Sequence, residues 1–119
     1  MSAREPWYRR KGREFERAVQ LRMEAIFGRD FVRRGVKASG GASPADVVAP
    51  GVWIECKAHH RTNPRGALRQ AERGARLEGL WPVAICKDDG KEPLVMMRLD
   101  DFAALLRAWH ALRVARGSR

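Results

Sequence analysis

An α/β fold, with helices on both faces of a mixed five-stranded sheet, is predicted by three features of the sequence. Segments near both ends and in the middle of the chain carry apolar residues at helical spacing, "ADVVAPGVWIECKA" at 45–58 reads as a hairpin, and "WPVAICK" at 81–87 is an apolar run closed by a lysine. Runs without a polar face belong to strands covered on both sides, which is what two layers of helix around a sheet provide. The 119 residues suit one domain with one modest core.

Taken in order, residues 1–12 place Arg4, Arg9, Arg10 and Lys11 around Trp7 and Tyr8, with Pro6 and Gly12 as breakers, and read as a mobile basic arm. From 13 to 27, Phe15, Ala18, Val19, Met23 and Ile26 recur at steps of three and four, which predicts an amphipathic helix stopped by Gly28. "DFVRRGVKASGG" reads as a strand running into the loop "SGGASP", and the hairpin follows with its turn at Pro50 and Gly51. Asn63 and Pro64 supply the cap and first position of a second helix with an inner face of Ala67, Leu68, Ala71 and Ala75, weakened by Gly66, Gly74 and Gly79. "WPVAICK", the turn "DDGKE" and "PLVMMRL" make a second hairpin. Asp100 is the expected cap of a last helix whose core-facing stripe is Phe102, Leu105, Leu106, Trp109 and Leu112, with Gly117 beyond its end and 116–119 as a flexible tail.

Lysine and arginine outnumber aspartate and glutamate by 24 to 14, a formal charge of +10. So large an excess on a short chain points to a polyanionic partner, above all nucleic acid. No long apolar segment or lipidation signal favours a membrane, and the N-terminal stretch lacks the apolar core of a secretory signal, so a cytoplasmic, DNA-associated location is expected. Cys56 and Cys86 lie in apolar strand-like runs and read as reduced, packed thiols.

A hairpin centred between Pro50 and Gly51 pairs Ala49 with Val52, Val48 with Trp53, Val47 with Ile54, and Asp46 with Glu55. Opposed side chains on one sheet face have Cβ atoms about 5 Å apart, and like charges so placed are destabilising. Lys57, two residues beyond Glu55, projects from the same face, while Cys56 and Ile54 point the other way. One amine leaves the two acids net negative, a setting suited to a hard divalent cation with oxygen ligands, Mg2+ being the natural occupant. The bland alternative is a solvated cluster on an exposed face; Val48 and Trp53 on that same face argue that it is covered. His59 and His60 are adjacent and diverge in a strand while Cys56 faces away from the acids, so they read as solvent-facing or phosphate-contacting rather than as zinc ligands. "SGGAS" lacks the lysine and hydroxyl of a phosphate-binding loop.

The pattern Pro44, Asp46, Glu55, Lys57 resembles the signature of the PD-(D/E)XK nucleases, and "RKGREFERAVQL" at 10–21 is similar to the opening segment of archaeal-type Holliday junction resolvases within that superfamily. The likeness spans about residues 8 to 106 and is strongest before 58. It implies a restriction-endonuclease-like core, with Glu16 as the helix carboxylate, Arg17 as its basic neighbour, and either Arg33 or Arg34 as the arginine before the serine and glycine loop. Ser39 or Ser43 would lie near the scissile phosphate, and Gln70 is similar to a residue of other branches. Helical geometry permits Glu16 at the flank of the buried stripe without requiring it, Glu14 lying nearer the opposite flank.

The activity so implied is a metal-dependent endodeoxyribonuclease that resolves four-way junctions by symmetric nicking. Glu16, Asp46, Glu55 and Lys57 would be catalytic; Asp46, Glu55, Glu16 and the Cys56 backbone carbonyl would hold Mg2+, with Mn2+ as a substitute. Arg9, Arg10, Lys11, Arg17, Arg33, Arg34, Ser39 and Ser43 would contact DNA. With no recognition helix or zinc finger, branched DNA shape rather than base sequence is the expected target. A homodimer matches the approximate two-fold symmetry of such a junction, and the basic arm would enter its centre. No small-molecule substrate is expected. Other nucleases of the superfamily acting on duplex or branched DNA, and a noncatalytic DNA-binding module, are the alternatives.

Overall fold

The computed structural model describes residues 4–36 and 44–117. The elements run α1 (Trp7–Phe27), β1 (Arg33–Val36), β2 (Ala45–Ala49), β3 (Val52–His59), α2 (Pro64–Glu78), β4 (Trp81–Asp88), β5 (Leu94–Met96) and α3 (Leu99–Ala115), with a single 3-10 turn at Arg29–Phe31 after α1. The five strands form one sheet in sequence order; β3 and β4 are parallel and the other three neighbouring pairs are antiparallel. This is the α/β architecture predicted, with the parallel pair bridged by the crossover helix α2.

The hairpin has the register read from the sequence over its first three pairs, Ala49 with Val52, Val48 with Trp53 and Val47 with Ile54. Its turn is Pro50 and Gly51, and Gly51 takes the positive φ of 84° that a type II turn needs at its second central residue. Alternation along the strands then sorts two cores. Val47, Ala49, Ile54, Cys56, Val83 and Ile85 face α1, where Phe15, Val19 and Met23 meet them one above another. Val48 and Trp53 face α2 and pack on Ala71 and Ala75, while Ala67 and Leu68 cover Ala84 and Cys86.

The α2 helix is built as its sequence indicates. Asn63 Oδ1 accepts from the Gly66 N–H at 3.1 Å, Pro64 opens the helix, and Gly79 closes it in the left-handed conformation. Gly74 is a packing requirement, since a Cβ there would stand 2.4 Å from Trp53 Cζ2.

The helical ends depart from expectation. α1 starts at Trp7, so residues 7–12 form its first turns and not a separate arm. Pro6 is compatible with a helix start, because its missing N–H lies where no intrahelical partner exists, and one interior glycine, Gly12, costs only about 1 kcal/mol. Tertiary ties hold these turns: Lys11 pairs with Asp89 in the turn after β4, and Arg13 bonds Glu5 at 2.8 Å. Within α1 only the line Phe15, Val19, Met23 packs; Ala18 and Ile26, expected in the same stripe, are exposed.

The larger correction concerns α3. Its predicted core stripe, Phe102, Leu105, Leu106, Trp109 and Leu112, is not buried: the helix buries none of its residues and contributes to none of the core clusters. Arg98 occupies its N-cap position without a side-chain cap, and Asp100 lies inside the first turn with Asp101, where acids favour the helix dipole. The radius of gyration is 15.7 Å, above the ~13.5 Å that compaction of a chain this long would give. No helix among the described residues is long and apolar enough to cross a membrane.

Candidate active site

The site is made where the hairpin opens. Past the pair Val47 and Ile54 the β2–β3 ladder stops, so Asp46 and Glu55, expected as the next pair, are not joined through it. Instead the Asp46 side chain enters the gap, and its Oδ2 accepts the Cys56 main-chain N–H at 2.7 Å. Glu55 stands between Trp53 and Lys57 in the alternation of β3 and is only 3% exposed. Lys57 Nζ lies 3.5 Å from Glu55 Oε1, while Oε2 is buried with no hydrogen-bond partner.

From the α1 side, Glu16 approaches the same aspartate. Its Oε2 accepts from Arg34 Nη2 at 3.2 Å. Sheet register settles which arginine is involved: Arg34 pairs with Val47, whose side chain faces α1, and Arg33 pairs with Val48, whose side chain faces α2. Gly35, at φ 60°, follows in the strand and lets Val36 pack with Ala45 on the α2 side instead of continuing the alternation.

Asp46 therefore couples two carboxyl groups that reach it from opposite faces of the sheet. Burial, then the charge of Asp46 and contact with it, push Glu55 up to about 8 despite the nearby Lys57 ammonium. Burial and then Asp46 also raise Glu16, against the opposing pull of Arg34. Burial drives the Cys56 thiol upward as well, consistent with an inert packed cysteine. Both cysteines are free.

Carboxylates crowded so that protons are retained have an affinity for positive charge that a cation can satisfy, and the unpartnered Glu55 oxygen is a vacant acceptor of the type a hard metal ion uses. Asp46 and Glu55 are the two residues that could hold such an ion. The expected three-acid set does not assemble as a single cage: among the described residues no group of three or more His, Cys, Asp and Glu side chains is placed to hold a metal. The contacts are pairwise, Glu16 to Asp46 and Asp46 to Glu55.

A groove of about 470 Å³ adjoins this cluster, with Glu16, Arg34, Cys56 and Lys57 along it and Tyr8, Arg9 and Arg13 from α1 on its wall. A smaller depression, about 230 Å³, lies on the other side of Lys57 and takes in His59, Asn63 and Gln70. Of the basic residues singled out from the sequence, Arg9 and Arg34 line the larger groove, whereas Arg10, Arg17 and Arg33 are exposed and do not, and Lys11 is engaged by Asp89. Ser39 and Ser43 lie outside the described residues. Arg13 is not singled out by the sequence, and Tyr8, read there as part of a basic arm, instead lies on the groove wall as a residue of α1. The signal was present, since Tyr8, Gly12 and Glu16 repeat at four-residue steps and share a face once the helix is extended to Trp7.

Comparison with known proteins finds no matching family model and no matching curated sequence.

Proposed function

We propose that this protein is a divalent-cation-dependent endonuclease that nicks the DNA backbone, with the four-way junction as its substrate. The observation that carries this reading is Glu55: a nearly fully buried carboxyl beside Asp46, 3.5 Å from an ammonium, with one oxygen unpartnered, next to a groove bordered by Arg9, Arg13 and Arg34. Burial of an acid in such company is costly unless a charged ligand completes it. Asp46 and Glu55 would hold Mg2+, with Glu16 and the Cys56 carbonyl adjoining, and the ion would supply Lewis-acid polarisation of a phosphate oxygen and a water of lowered pKa.

The remaining chemistry belongs to the chain. Lys57, 3.5 Å from Glu55, would orient an attacking water or offset charge building on the phosphate. The Cys56 N–H fixes one oxygen of Asp46 and so the direction of the carboxyl. Arg9, Arg13 and Arg34 offer donors to flanking phosphates, contacts that position a backbone without reading bases. The charge of +10 supports the same partner.

The test is incubation of the protein with end-labelled four-way junctions, flaps and linear duplex, in Mg2+, in Mn2+ and in chelator. Paired, symmetric nicks confined to the junction and abolished by chelation are expected. Equal cutting of linear duplex would reassign it to another type of DNA nuclease, and binding without cleavage would make it an architectural module.

A further inference from the structure

The chain holds an apolar helix without a bed and an apolar bed without a helix. Along α3, Phe102, Leu105, Leu106, Trp109 and Leu112 follow at steps of three and four and form one stripe, with Trp109 54% and Leu112 57% exposed. On the α1 side of the sheet a groove of about 540 Å³ runs between α1 and the β4–β5 hairpin, floored by Phe15, Met23 and Ile85 and edged by Ile26 and Val95. Ile26 and Val95 are 68% and 64% exposed, as sheet and helix edges are when a layer is missing.

The link from β5 to α3 is two residues, Met97 and Arg98. Arg98 is held from the opposite side of the sheet by Glu72 of α2, with Nε at 3.0 Å from Oε2 and Nη2 at 2.8 Å from Oε1, a bidentate pair immediately before α3 begins. Charge is complementary between the two surfaces. Asp100 and Asp101 head α3 and Arg107 and Arg113 follow them, while Arg22 and Lys87 border the groove and Glu92 lies within it.

We propose that α3 of each copy docks in the α1–β4–β5 groove of a second copy, forming a two-fold dimer by reciprocal helix exchange. Helix and groove occur on the same chain, so exchange that is reciprocal about a two-fold axis satisfies both surfaces of both copies at once and closes the assembly at two, leaving neither surface free to add a third copy. A 17-residue helix is ~25 Å long. Two such helices seated along their apolar stripes bury on the order of 2,000 Å² in total, above the roughly 1,200 Å² at the lower end of stable, specific interfaces. Nothing in this proposal requires the protein to cut DNA, so it stands or fails separately from the nuclease reading.

Sedimentation equilibrium of the full chain, without DNA, reads the assembly directly. A mass of twice the 13.5 kDa chain is expected, and Leu105→Asp on the helix and Ile26→Asp on the groove should each give a folded monomer by circular dichroism. Mixing Leu105→Cys protein with Ile26→Cys protein under oxidation should yield a disulfide between unlike copies, the native Cys56 and Cys86 being buried. A wild-type monomer at every concentration would overturn the proposal. So would a dimer in which Leu105→Cys links only to itself, or a double variant that closes the bridge within one chain.

Discussion

Asp46 replaces a strand: where the β2–β3 ladder ends, its Oδ2 rather than a main-chain carbonyl receives the Cys56 N–H, at 2.7 Å. This bond places one carboxyl within reach of Glu16 on one side of the sheet and Glu55 on the other. Structural and chemical roles of Asp46 are thereby separable. Asp46→Asn keeps an acceptor for the amide and removes the charge, so unfolding in urea should shift by less than about 1 kcal/mol, whereas Asp46→Ala strands a buried N–H and should lose about 1–3 kcal/mol. Both variants, and Glu55→Gln, should be inactive on a labelled junction while binding it within a few fold. Normal cleavage by Asp46→Asn would show the site to be misplaced.

Stability of the metal-free protein should fall with rising pH. Glu55 keeps its proton until about 8 when folded, against an ordinary 4.5, so the folded form binds more protons than the unfolded form across that interval. The contribution is complete below pH 4.5 and is lost as pH climbs towards 8, with a limiting slope of about 1.4 kcal/mol per pH unit for one proton. Glu16 acts in the same direction. Thermal melts should show this slope in wild type and a shallower one in Glu55→Gln. Mg2+ should raise Tm more at pH 8.5 than at pH 5.5, because at the lower pH protons compete for the same oxygens.

Gly74→Ala should destabilise the protein, although alanine is the better helix former by about 1 kcal/mol. The new methyl would meet the ring of Trp53, itself 1% exposed, at 2.4 Å. Overpacking against an immobile indole costs about 1–3 kcal/mol and outweighs the propensity gain. Chemical denaturation followed by Trp fluorescence measures the net sign.

Arg34→Ala should weaken junction binding and make the dependence of log affinity on log salt less steep by about one unit, as loss of one phosphate contact does. Arg33→Ala, whose side lies away from the groove, should change both less. Fluorescence anisotropy across a salt series separates them, and equal effects would remove the groove as the DNA path.

Much of the architecture is determined locally and so is legible in the sequence. Pro50 and Gly51 set the turn and thereby the register of Val47, Val48 and Ala49 against β3; Asn63, Pro64 and the alanine face of 67–75 define α2. These depend on dihedral preference and side-chain period, properties carried by a few consecutive residues. Asp46, Glu55 and Lys57 could be singled out for the same reason, because alternation in one hairpin was enough to bring them near each other.

What required the tertiary structure was every relation between elements distant in sequence. The Lys11–Asp89 pair ties residues 7–12 to the turn after β4 while the rest of the helix packs on the sheet, although Pro6 and Gly12 read locally as breakers. Strand register, not the string "VRRG", turned Arg34 towards Glu16. The stripe on α3 is amphipathic by sequence, but periodicity identifies only the face that avoids water, never what covers it. The hydrophobic effect is non-directional, so the covering surface is decided by chain geometry: here a two-residue link clamped by Arg98 and Glu72 leaves that face uncovered within the chain.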